Sequence, residues 1–110
     1  MNLINSWATR TPMATPLTHY TVEMEDTGLS GWISYRESML TLRFSYERML
    51  TSLYVFVPGN EQWPAYCRSS GARTAASRRT EIIQRIASEL RTQQASSMVQ
   101  INDYGIEVLF

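Results

Sequence analysis

From Leu40 to Glu47 apolar and polar side chains alternate without a break, Leu40, Leu42, Phe44 and Tyr46 interleaved with Thr41, Arg43, Ser45 and Glu47. A two-residue period sends successive side chains to opposite faces of an extended chain, so this stretch predicts a strand with one buried and one wet face. Such a strand cannot stand alone, because its backbone N–H and C=O groups need partners. The rest of the chain must supply them.

The supply is visible on both sides. Tyr20, Val22 and Met24 alternate with Thr21, Glu23 and Glu25 before a turn at Asp26, Thr27 and Gly28, and Gly31 opens a second strand over Trp32 to Arg36. Leu50 to Val57 reads as a further strand in which Leu53 to Val57 leave no polar position, which predicts a central strand covered on both sides. Pro58, Gly59 and Asn60 end it, since proline cannot donate to a ladder and glycine and asparagine favour turns. Near the C-terminus, Met98 to Asn102 and Ile106 to Phe110 read as a hairpin turning at Asn102, Asp103, Tyr104 and Gly105.

One region has a different period. From Ala72 to Gln93 apolar residues fall at 75, 76, 82, 83, 86 and 90, the spacing that lines one side of a helix. Arg78, Glu81, Arg85 and Glu89 follow at steps of three and four, a ladder of alternating charge expected to face solvent. Residues 60 to 71, with Trp63, Pro64, Tyr66 and Cys67, read as a structured loop, and residues 1 to 17 as a mobile arm in which Met13 is an alternative start. The order ββββαββ predicts an α+β fold: a curved antiparallel sheet of five to six strands with one long amphipathic helix packed on one face, residues 18 to 110 forming one domain.

Composition supports one core. The chain has 110 residues, 44% of them hydrophobic, and no apolar run longer than Leu53 to Pro58, far short of the roughly 18 residues that cross a bilayer. Met1 to Trp7 lack the basic and apolar regions of a secretory leader, and Cys67 is the one cysteine, so a cytoplasmic protein without a disulfide or a thiolate metal cage is expected. Net charge is zero but uneven: residues 62 to 95 hold six arginines against two acids, and residues 1 to 61 hold four against six. All ten basic residues are arginine. Codon bias accounts for that, and so does selection for planar pairing with carboxylate or phosphate.

Candidate sites follow from these arginines. A helical projection puts Arg79 within the apolar stripe, where a guanidinium must meet a carboxylate, cap carbonyls or line a small anion pocket. Arg68, Ser69, Ser70, Gly71, Ala72 and Arg73, placed before the expected helix, have the composition of an anion cradle at a positive helix end, although helix capping explains the same residues. Arg68, Arg73, Arg78, Arg79, Arg85 and Arg91 with Trp63 and Tyr66 for stacking would make a nucleic-acid face; the interrupting Glu81 and Glu89 and the zero net charge disfavour it.

Catalysis has little to work with: His19 and Cys67 stand alone of their kinds, and Glu23, Glu25 and Asp26 are the one tight acidic cluster, read as the wet side of a strand. No cofactor or metal is implied. The expectation is therefore a non-enzymatic binding protein working through protein contacts, a homodimer foremost, by way of sheet edges, the wet face at Arg43, Ser45 and Glu47, or an aromatic patch of Trp32, Tyr35 and Trp63. An anion- or nucleic-acid-binding protein is the second reading, and a small enzyme the third.

Overall fold

The computed structural model describes residues 19 to 110 apart from 27 and 97; the arm expected over residues 1 to 17 lies outside the described residues. Six strands form one antiparallel sheet: β1 (Tyr20–Asp26), β2 (Ser30–Glu37), β3 (Leu40–Arg48), β4 (Ser52–Phe56), β5 (Met98–Asn102) and β6 (Gly105–Leu109), in the spatial order β1-β2-β3-β4-β6-β5. Helices α1 (Trp63–Ser69) and α2 (Arg79–Gln93) follow β4, with a single 3₁₀ turn at Arg73–Ala75 between them. The α+β architecture and the order ββββαββ are as expected, with α2 the long helix.

Register explains the core. Val22 faces Tyr35, Tyr35 faces Leu42, Ile33 faces Phe44, Tyr46 faces Val55, Leu53 faces Val108, and Val55 faces Ile106. Because direction alternates along each strand, all of these fall on one side of the sheet. Ile82, Ile83, Ile86, Ala87 and Leu90 of α2 close over them, together with Trp63 and Cys67 of α1. Gly31 is required here: a Cβ would stand 2.9 Å from the ring of Tyr46 on the facing strand.

Two expectations fail at the helices, each for a local reason. The stretch read as a loop forms α1, which has Pro64 in its first turn and ends at Gly71, whose φ of +70° is the left-handed conformation that stops a helix. The long helix begins at Arg79 and not near Ala72, because the carbonyl of Ala75 accepts from the Trp63 indole at 2.9 Å and from the Arg78 amide at 3.0 Å. Those bonds hold residues 72 to 78 in tight turns.

A third correction concerns β4. It is central, between β3 and β6, yet among the described residues it is covered on one side only. Leu53 and Val55 are fully buried, whereas Phe56 is 43% exposed on the opposite face. One helical layer covers one face. On the open side Tyr54 and Phe56 shield each other edge to face at 5.0 Å, and Tyr54 lies over Gly105, where an added Cβ would come within 2.5 Å of its ring and hydroxyl.

Candidate functional site

The arginine-based candidates are largely spent on holding the fold. Arg79 donates from Nε to the Pro58 carbonyl at 3.0 Å and from its terminal nitrogens to Asn60 Oδ1 at 3.2 Å and the Asp103 carbonyl at 2.8 Å, with Trp63 beneath it at 5.9 Å. It ties the loop after β4 to the β5–β6 turn. The stripe position read from the sequence is thus resolved by capping carbonyls, one of the expected solutions.

Arg68 to Arg73 sit at the C-terminal end of α1, where the helix dipole is negative. The amides of Ser70, Gly71 and Ala72 donate back to the carbonyls of Tyr66, Arg68 and Cys67 at 3.0, 3.1 and 2.8 Å, so they are closing a helix and are not presented to a ligand. The positive helix end on which the cradle depends lies farther along, at Arg79. Arg68, Arg73 and Arg91 are exposed.

The stacking residues are committed as well. Trp63 is 1% exposed and lies parallel to Phe44 at 6.2 Å; Tyr66 packs on both rings and donates its hydroxyl to the Arg43 carbonyl. Burial pushes the Tyr66 hydroxyl up to about 12. Cys67 is fully buried on the same helix, and burial raises its thiol, whereas His19 is exposed at the start of β1. Among the described residues no three His, Cys, Asp or Glu side chains gather as a metal site. Nor is any helix among them long and apolar enough to cross a membrane. The side chain of Asp26 lies outside the described residues.

The charge ladder of α2 is the clearest correction. Arg78 and Arg85 turn toward the sheet and share Glu37, which lies in the seam with 6% of its side chain exposed. Arg78 grips both carboxylate oxygens, at 2.9 and 2.6 Å, and reaches Glu81 at 2.9 Å; Arg85 reaches Glu37 at 3.1 Å, Glu81 at 2.9 Å and the Tyr35 hydroxyl at 3.0 Å. Tyr35 donates to Glu37, and Arg85 also lies over the Tyr20 ring at 4.8 Å. The Arg78 hydrogen bonds hold the Glu37 and Glu81 carboxyls below their ordinary range and raise Arg78, while burial, aided by Glu37, pushes Tyr35 up to about 12. Period two gave the signal: Glu37 follows Ile33 and Tyr35 on the inward side.

Among the described residues, what remains open is the far face of the sheet. Of the expected aromatic patch, Tyr35 and Trp63 belong to the core, and Trp32 alone faces out, 42% exposed. Its companions are Phe56 and Tyr54. Trp32 of β2 and Phe56 of β4 flank Ser45 of β3 and, with Ser30 and Glu47, line a cleft of about 210 Å³. Ser45 lies directly opposite Trp32, so a small side chain between two rings makes the floor. Arg43 stands 4.6 Å from the Trp32 ring centre and pairs with Glu25 at 3.2 Å, and Ser34 also donates to Glu25 at 3.1 Å. Arg36 pairs with Glu23.

Strand alternation puts Glu23, Glu25, Glu47 and Glu107 on this face with Arg36 and Arg43. Two of the four carboxylates are therefore neutralised, and Glu47 and Glu107 have no ion pair among the described residues. An aromatic cleft beside unneutralised carboxylate can take an apolar or cationic side chain. Comparison with protein-family models, curated proteins and solved structures finds no match.

Proposed function

We propose that this chain is a non-catalytic protein-binding module whose open sheet face docks a polypeptide segment, seating one lysine or arginine side chain of that segment between Trp32 and Phe56. The observation that carries the reading is the cleft of about 210 Å³ between these two half-exposed rings, with Glu47 on its wall. The volume suits one long side chain. The two rings supply apolar walls for the stem of such a side chain, Arg43 already lies over the Trp32 ring, and Glu47 offers the charged head a counter-charge.

Charge also separates protein from nucleic acid. A phosphate backbone would meet a surface carrying four glutamates and two arginines, both of the latter already paired. The arginines that lie elsewhere support an anion-binding reading less well, since Arg78, Arg79 and Arg85 are engaged by the protein itself.

The test is a two-dimensional NMR titration of the whole chain with three probes: an arginine- and lysine-rich hexapeptide, its glutamate-substituted counterpart, and a single-stranded oligonucleotide. The basic peptide is expected to shift the Trp32 indole and the Phe56 and Glu47 amides, and Trp32→Ala is expected to abolish the response. Silence at Trp32 with the basic peptide would sink the reading. So would an oligonucleotide response at Arg68, Arg73 and Arg91, in favour of an anion-binding protein.

A further inference from the structure

We infer that β5 pairs antiparallel with the β5 of a second copy of this chain, about a two-fold axis through Gln100, joining two sheets into one. This goes beyond the docking face and does not depend on it.

The two outer strands of the sheet are built differently. Among the described residues, β1 and β5 are the edges. β1 carries Glu23 and Glu25, and Gln93 of α2 reaches across to donate to the Val22 carbonyl at 2.8 Å, occupying a backbone acceptor of that strand. Charge and a capped backbone group are the usual defences of an edge. β5 has neither. Its sequence, Met98, Val99, Gln100, Ile101 and Asn102, holds no charge and no proline, and Met98 and Ile101 are 49% and 47% exposed.

The identity of the occupant follows from the pattern of β5. About an axis through Gln100, Val99 of each copy faces Ile101 of the other, Met98 faces Asn102, and Gln100 faces its own counterpart. Val99 and Ile101 lie on the helix side, opposite Val108 and Ile106, so the pairing extends the apolar layer under the helices from one molecule into the next. Gln100 lies on the other face, beside Glu107, and two glutamines can exchange amide hydrogen bonds there. Asn102 does not obstruct, since its Oδ1 is turned back to accept from the Tyr54 hydroxyl at 3.1 Å and the Tyr104 amide at 2.9 Å. The same operation applied to β1 would set Glu23 against Glu23, which like charges oppose. Five paired residues make a contact below the size of a standard stable interface, so the dimer is expected to dissociate on dilution.

The experiment combines sedimentation velocity with hydrogen exchange over a wide range of protein concentration. The unmodified chain is expected to sediment faster as concentration rises, with slowing of exchange confined to the Val99 to Ile101 region. Gln100→Glu aligns its carboxylates with Glu107 in both copies and is expected to stay monomeric with unchanged circular dichroism; mixing it with Gln100→Lys is expected to restore a heterodimer. If Gln100→Glu fails to fold, the concentration series on the unmodified chain decides alone. Trp32→Ala is expected to dimerise normally, which keeps this result separate from the docking reading. The inference is overturned by a monomer at every concentration, by a dimer that forms equally with Gln100→Glu, or by β5 protection that does not depend on concentration, which would place the cover within a single chain.

Discussion

Trp63 and Trp32 lie on opposite sides of one sheet and have opposite surroundings. Trp63 is 1% exposed, parallel to Phe44 and hydrogen-bonded to the Ala75 carbonyl; Trp32 is 42% exposed, with Arg43 over its ring and an open cleft beside it. The difference teaches where each kind of energy resides. On the covered face side chains are satisfied by one another, so their removal is felt as lost stability. On the open face they are satisfied in part by water, so their removal is felt chiefly by whatever binds.

The largest effect that would break this contrast is on the covered side. Trp63→Ala removes a fully buried ring and the bond that shapes the turn before α2, and is expected to cost about 3–5 kcal/mol, enough to leave the chain marginally folded. Urea denaturation followed by circular dichroism measures it. A loss below about 1 kcal/mol would mean that the α1 layer contributes little.

Next comes the ionic seam. Glu37→Gln leaves Arg78 and Arg85 with the more exposed Glu81 as their remaining anion and is expected to cost about 3 kcal/mol at neutral pH, less than a deeply buried pair because both guanidinium groups retain some access to water. The Glu37 carboxyl is held below its ordinary range in the folded chain by Arg78, so the folded state binds fewer protons there than the unfolded state. Its contribution is fully present above the ordinary glutamate value and is lost as pH falls through the lower folded-state value. Stability of the unmodified chain is thus expected to drop through that acid window, with Glu81, also held low by Arg78, acting in the same direction. Glu37→Gln should flatten the drop. An unchanged slope would show that the seam is electrostatically idle.

Arg79 tests a neutral-acceptor version of the same idea. Its partners are two carbonyls and an amide oxygen at the surface, which water can reach once the guanidinium is gone. Arg79→Met is therefore expected to cost only about 1–2 kcal/mol, read as a lower thermal midpoint. Unchanged stability with loss of bound phosphate or sulfate would instead revive the anion pocket.

How much of this was legible in the residues depends on whether the signal was local. Leu40 to Glu47 announced its strand because alternation needs no partner to be seen, and Glu37 was legible by the same parity although the expected strand stops at Arg36. Leu53 to Val57 was misjudged because an unbroken apolar run hides its parity; Tyr54 and Phe56 look like core until the layer that would cover them is found missing. The start of α2 was not legible at all, since the bond from the Trp63 indole to the Ala75 carbonyl, 12 positions along the chain, decides it. The cleft belongs to the same class: Trp32 and Phe56 become neighbours of Ser45 through the pairing of separate strands, and no spacing within the chain records that.

The smallest effect sharpens the contrast most. Trp32→Ala removes a ring as large as that of Trp63, but one that is partly wet and whose main specific contact is the cation above it, so a loss of about 0.5–1 kcal/mol is expected from urea denaturation. Arg43 retains Glu25 as a partner, which limits the damage. The same variant is expected to lose the basic-peptide response altogether. A residue whose removal abolishes binding yet barely moves the unfolding curve is serving the surface and not the core. If Trp32→Ala instead destabilises the chain as severely as Trp63→Ala, the open face is structural, and the division between the two sides of the sheet does not hold.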